Sequence, residues 1–209
     1  MRPAIITAVD SLLAYAQSKQ REIIALIRQM VECESPSDHP AAVGRFVELL
    51  ADTIAPFASV RRYPGGRFGP HLVAEFQVPG KKKAGQVLAL GHSDTVWALG
   101  TLKSMPFREK DGRLWGPGVL DMKSGLAFLI YAVHGLRELN IPSPSRVLLQ
   151  LNADEEVGST SSRALTEANA RRSKAVLVLE PGTGLEGKLK TARKGVGSVT
   201  VTVHGQASH

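Results

Sequence analysis

Residues 146–156 read RVLLQLNADEE. Four apolar side chains in so short a run, followed at once by Asp154, Glu155 and Glu156, describe a buried strand that ends in concentrated charge. The same design recurs on either side. Upstream, QVLALG (86–91) runs into His92-Ser93-Asp94, and downstream AVLVL (175–179) runs into Glu180-Pro181. Between these strands the periodicity predicts an amphipathic helix over 121–139, with Leu126, Leu129, Ile130, Val133 and Leu136 on one face, and a second over about 159–170. Short apolar strands alternating with helices indicate an α/β layer sandwich whose central strands are buried on both faces.

Ahead of this core, helical patterns cover about 4–18, 19–33 and 39–55, the third with Ser37 or Asp38 as N-cap. Strands are expected at 58–63 and 71–77, with PGKKKAG (79–85) as a solvated hairpin tip before the strand at 86. The N-terminus lacks a long uninterrupted apolar region and a cleavage site, so it reads as a helix of the mature protein. No apolar run approaches the roughly 20 residues of a membrane span. One cysteine, Cys33, excludes an internal disulfide and a cysteine-built metal site, and its place after a helical apolar face makes it a packing residue. A soluble cytoplasmic domain is expected. The formal charge of +7 and pI near 9.8 admit nucleic acid, an anionic surface or an acidic substrate. Arg171, Arg172, Lys174, Lys188, Lys190, Arg193 and Lys194 carry no accompanying nucleic-acid motif, which argues against the first.

In open α/β sheets, sites gather at the carboxyl ends of the strands. Here those ends carry His92, Asp94, Glu155, Glu156 and Glu180, and a Gly-Pro-Gly turn delivers Asp121 to the first turn of the long helix. Taken singly, each has a simpler account. A lone His92 is more often structural, Asp121 serves a helix dipole, Glu155 and Glu156 form a loop charge pair, and Glu180 ends a strand. Together, carboxylates crowded at one sheet edge repel unless a positive charge lies among them, and histidine with several acids suits zinc without thiolates.

GHSDTVWALGTL (91–102), PFREKDGRLWGPGVLDMKSG (106–125), NADEEVGS (152–159) and VLEPG (178–182), in this order, resemble the M20 family of metallopeptidases, most closely its glutamate carboxypeptidase type. The resemblance implies a zinc-exopeptidase-like three-layer α/β sandwich with a mixed, largely parallel central sheet. It implies two Zn2+ ions, with Co2+ or Mn2+ as alternatives. His92 would bind one metal with Asp94 behind its imidazole, and Asp121 would bridge both. Glu155 would be the general base, with Glu156 a ligand of one metal and Glu180 of the other. Residues 1–192 would form the N-terminal part of the catalytic domain. VGSVTVTV (196–203) would open an α+β lid or dimerisation domain within 193–209, with His209 resembling a lid histidine that reaches substrate.

The alternating strand at 196–203 needs neighbours, so the chain is expected to be a piece of something larger, lacking the last metal-binding histidine and inactive alone. The substrate expected is a small peptide or acyl-amino acid with a free carboxylate, cleaved by a carboxypeptidase-like hydrolase that is a homodimer at full length, with no nucleic-acid or membrane partner. An N-acyl-amino-acid deacylase or dipeptidase of the same family, and a non-catalytic truncated product, are the alternatives. His71, His134 and His204 match no motif and read as ordinary fold or surface residues, while Trp97 and Trp115 are expected to pack around the site.

Overall fold

The computed structural model describes residues 2–206 apart from 82, 196 and 198, and of residues 2–8 the backbone alone. Five α-helices are α1 (Arg2–Ser18), α2 (Gln20–Glu32), α3 (Pro40–Ile54), α4 (Ser124–Glu138) and α5 (Arg163–Arg171). The strands are β1 (Ala58–Tyr63), β2 (His71–Phe76), β3 (Gln86–His92), β4 (Arg108–Lys110), β5 (Arg113–Trp115), β6 (Arg146–Asn152) and β7 (Ser173–Val178). β4 and β5 form a small hairpin, and the other five make one sheet in the order β1-β2-β6-β3-β7. It is mixed: β1, β2 and β6 run antiparallel in turn, while β6, β3 and β7 are parallel.

Alternation along β6 sorts the layers. Leu149 and Leu151 face a core with Leu72, Ala74 and Ala89 from the sheet and Ile27, Met30, Phe46, Leu50, Leu126 and Ile130 from α2, α3 and α4. Gln150 and Asn152 face α5. There Gln150 Nε2 donates to Thr166 Oγ1 (2.7 Å), and Asn169 Nδ2 donates to Gln150 Oε1 (2.8 Å). Helices on both faces complete three layers. In α3, Val43, Phe46, Val47, Leu50 and Ile54 recur at helical spacing and are fully buried, each contributing about 1.5–3 kcal/mol of transfer free energy.

Several local expectations are corrected. His39, not Ser37 or Asp38, caps α3, its Nδ1 accepting from Ala42 N (3.1 Å), because the Ser37 hydroxyl is committed to Asp94. Residues 79–85 are no hairpin tip, since β6 lies between β2 and β3. The connection passes the end of β6 to reach β3, which runs opposite to β2, and Lys83 Nζ is folded in among the carbonyls of Val78, Pro79 and Ser143. α4 begins at Ser124 because Asp121 and Met122 adopt non-helical φ/ψ in the kinked turn before it. α5 begins at Arg163 after a turn in which Ser159 has φ +55°. Val119–Glu138 is, by length and average apolarity, sufficient to cross a membrane, which the reading of isolated apolar runs missed. Leu126, Ala127, Ile130 and Val133 bury its inner face in the core.

β7 is not a buried strand either: Val176, Leu177 and Val178 are 40%, 55% and 58% exposed. Within 196–203, the described residues form no strand, and Val199, Val201 and Val203 are exposed. An alternating pattern records a face that would accept a cover, and no described strand pairs with it. His209 lies outside the described residues.

Candidate metal centre

β3 delivers His92 at its last residue, and the strand end is fastened to β6 where Ser93 donates through both N (2.7 Å) and Oγ (3.0 Å) to Asn152 O. Asp121 arrives on the Gly116-Pro117-Gly118 turn, just before α4. A Cβ on Gly116 would lie 2.8 Å from Val31 Cγ1, and one on Gly118 2.8 Å from Thr95 Cγ2. Both glycines also have positive φ, so the turn presses against α2 and the Asp94 loop in a way other residues would prevent. Glu180 follows β7 by two residues.

These three converge. One ligand atom each from His92, Asp121 and Glu180 lie within 4.8 Å of one another, the single such group of three among the described residues. His92 Nε2 is 3.1 Å from Asp121 Oδ1 and 3.2 Å from Glu180 Oε1. His92 is buried, Asp121 exposed and Glu180 between the two. Glu156, the other expected ligand, stands outside this trio and lines a neighbouring cleft.

The electrostatics test whether the trio fits a cation. Burial works against a charge on His92, yet the Asp94 and Glu180 carboxylates beside the ring push its pKa up to about 11. Asp121 is raised by desolvation and by Glu180, while Glu180 is lowered by its bond to His92. His92 Nε2 faces two carboxylate oxygens at near-equal distance. A nitrogen and two carboxylate oxygens around one point are a donor set for a divalent cation such as zinc. His92 Nδ1 donates to Asp94 O at 2.8 Å, which in the neutral ring leaves the Nε2 lone pair aimed at that point.

The Asp94 carboxylate stands beside the His92 ring and has a second task as well. Its Oδ1 is 3.6 Å from His92 Nδ1, too long for a hydrogen bond, so the backbone carbonyl orients the ring. The carboxylate also accepts from Glu155 N (3.2 Å), Glu156 N (3.2 Å) and Ser37 Oγ (2.8 Å). It thereby fixes the turn carrying both glutamates. Glu155 is pushed up by desolvation and by Glu180, Asp94 and Asp121, with His92 opposing.

Lys123 escaped the sequence reading. Buried beneath the Asp121 turn, its Nζ donates to Met30 O (3.0 Å) and Cys33 O (2.9 Å) and sits 4.5 Å from the centre of the Phe46 ring. Burial draws its pKa down to about 8. The signal was present: Lys123 precedes Leu126, Ala127 and Ile130 by three, four and seven positions, on the stripe that faces the core. Cys33 packs against that core, as expected, and burial raises its thiol. Trp97 and Trp115 remain 38% and 44% exposed, and Trp115 stacks under Arg108 in the β4-β5 hairpin.

Comparison with known proteins adds independent support. The chain is 29% identical over 197 residues to carboxypeptidase G2 of Pseudomonas sp. (strain RS-16), covering 93% of this chain and 47% of the relative. It is 33% identical over 140 residues to acetylornithine deacetylase of Myxococcus xanthus, covering 66% and 35%. The crystal structure of human carnosine dipeptidase 1 superposes with a TM-score of 0.70 at 23% identity, over 81% of this chain and 40% of that one, which establishes the shared fold. The chain spans about half or less of the length of the curated relatives it matches. Residues 88–208, which hold His92, Asp94, Asp121, Glu155, Glu156 and Glu180, match the family model of peptidase family M20/M25/M40, and the chain belongs to that family.

Proposed function

We propose that the protein is a zinc-dependent hydrolase of amide or peptide bonds, carboxypeptidase-like, releasing a C-terminal amino acid such as glutamate. The observation that carries this reading is the convergence of His92, Asp121 and Glu180 at the ends of β3, the Gly-Pro-Gly turn and β7. These three would hold one ion, and Asp121 with Glu156 would contribute to a second. When bound, such ions polarise a carbonyl and lower the pKa of water from about 15.7 toward neutrality. Glu155 then accepts the water's proton as oxygen attacks the scissile carbonyl, and returns it to the leaving amine as the C–N bond breaks. Its raised pKa suits that exchange, because a base works best with a pKa near the operating pH. Asp94 holds Glu155 and Glu156 in register through their amides. In this reading residues 193–209 open a lid or dimerisation domain, and the full-length protein is a homodimer.

The breadth of the match to a carboxypeptidase, 93% of the chain against 66% for the deacetylase, favours peptide cleavage. The higher identity to acetylornithine deacetylase supports a second reading, removal of an N-acyl group from an amino acid. A panel of acyl-amino acids against peptides ending in glutamate separates the two. In the full-length protein, Glu155→Ala should lower kcat by about 10²–10⁴ with zinc content retained, whereas Asp121→Ala should lose zinc. An unchanged rate in Glu155→Ala would remove Glu155 from the mechanism.

A further inference from the structure

The β1-β2 connection, PGGRFGP (64–70), carries one cation, Arg67, on an exposed turn held between two close-packed glycines. Gly65 is buried where a Cβ would meet Gly69 O at 2.0 Å, and a Cβ on Gly69, which has φ +97°, would lie 3.0 Å from Pro40 O. The turn between them carries Arg67, whose Cζ lies 4.8 Å from the centre of the Phe68 ring. Arg67 and Phe68 form one wall of a cleft of about 510 Å3, and Thr95, Val96 and Glu156 belong to the others. Glu156 joins this cleft to the metal centre: it lines the cleft, and its backbone N donates to Oδ2 of Asp94 (3.2 Å), whose Oδ1 lies 3.6 Å from His92 Nδ1. Asp38 also lines the cleft, yet among the described residues Arg67 forms no ion pair.

Arg67 is therefore the one positive side chain in a cleft whose other charged residues are acids. Asp38 and Glu156 repel an anionic group entering there, and this guanidinium attracts it, with a fork that matches a carboxylate in two parallel hydrogen bonds. We propose that Arg67 reads a carboxylate of the substrate, holding it in the cleft while the scissile bond lies at the His92, Asp121 and Glu180 group. Phe68 keeps the guanidinium plane in place and supplies apolar surface to the substrate beside it. This assignment rests on the hydrolase reading for its substrate and adds the residue that selects it.

The test uses the full-length, zinc-loaded protein and three ligands: N-acetyl-Ala-Glu, its C-terminal α-amide, and N-acetyl-Ala-Gln. Each analogue removes one carboxylate. Arg67→Gln should raise KM for N-acetyl-Ala-Glu by about 10- to 100-fold while leaving kcat within about twofold, and should abolish the preference over one of the two analogues. Arg67→Lys should restore part of that preference as a point charge. Calorimetric binding of the same ligands to Glu155→Ala, with and without Arg67→Gln, reads the preference without turnover. Loss of the preference there supports the assignment even if the wild-type protein cleaves none of the three, an outcome that would instead overturn the hydrolase reading. Preferences unchanged by Arg67→Gln, or an equal weakening of all three ligands, would overturn the role given to Arg67.

Discussion

β6 and β7 flank the same strand, both run parallel to it, and both are short apolar runs, yet one is interior and the other is surface. From Leu148 to Asn152 every residue of β6 is buried, whereas β7 exposes about half of Val176, Leu177 and Val178. The difference lies in neighbours. β6 has β2 on its far side, the α2-α3-α4 core on one face and α5 on the other, while β7 has β3 on one side and α5 as its main helical contact. Apolar sequence states what a strand can bury; topology decides what it does bury. The candidate metal centre straddles this contrast. Glu155 and Glu156 issue from the buried strand on amides tied to Asp94, and Glu180 from the exposed one, held by its contact with His92.

The largest stability effect should come from the core of β6. Leu151 is fully buried, paired with Leu72 in register and packed in the main core. Leu151→Ala should destabilise by about 2–5 kcal/mol in equilibrium unfolding, because packed neighbours on both sides cannot collapse into the void. A loss below about 1 kcal/mol would mean that β6 is no better enclosed than β7.

A smaller effect, with a pH signature, belongs to the buried end of β6. Asp154 is fully buried, and its Oδ2 accepts from Ser161 N (2.6 Å), Ser161 Oγ (2.8 Å) and Ser162 N (3.3 Å). Desolvation alone would raise its pKa, but these donors hold the charged form and lower it. An unfolded aspartate titrates near about 3.9, so the stabilisation is complete above that pH and is lost as pH falls through the lower folded value. Asp154→Asn should cost about 1–3 kcal/mol at pH 7, and the gap from wild type should close in acid. A gap independent of pH would show that shape, not charge, is what the Ser161 turn requires.

Most of this layout was legible. Runs such as QVLALG and RVLLQLN are short, apolar and bounded by turn residues, and polar groups at the ends of parallel strands lie at one sheet edge, which is why His92 and Glu180 meet. Strand order was not legible, because whether β6 lies between β2 and β3 depends on contacts some 70 residues apart in the chain, such as Ala74 with Leu149. That one fact misplaced the lysine loop at 79–85 and hid the edge position of β7. His39 was missed as a cap because Ser37 and Asp38 are better caps in isolation, and Ser37 is taken by Asp94 only once the fold forms. His71 is the ordinary buried residue expected, with Nδ1 accepting from Ala153 N (3.0 Å) and Nε2 bonded to Ser161 Oγ (3.0 Å).

The smallest effect sharpens the comparison most. Leu177 occupies in β7 a place next to β3 much like that of Leu149 in β6, both aligned with Ala89, yet it is 55% exposed where Leu149 is 1%. Leu177→Ala in the 209-residue chain should change stability by no more than about 0.5 kcal/mol, since solvent already occupies the volume that truncation would open. Leu149→Ala, the same chemical change one strand across, should cost several times more. If the two costs were equal, β7 would have to be covered, and its exposed apolar residues would be part of an interior. Repeating the Leu177→Ala measurement in a longer form of the protein turns the residue into a probe. A cost that grows with chain length reports added chain packing on β7, beside the loop that carries Glu180, and a cost that stays near zero leaves β7 as a true edge.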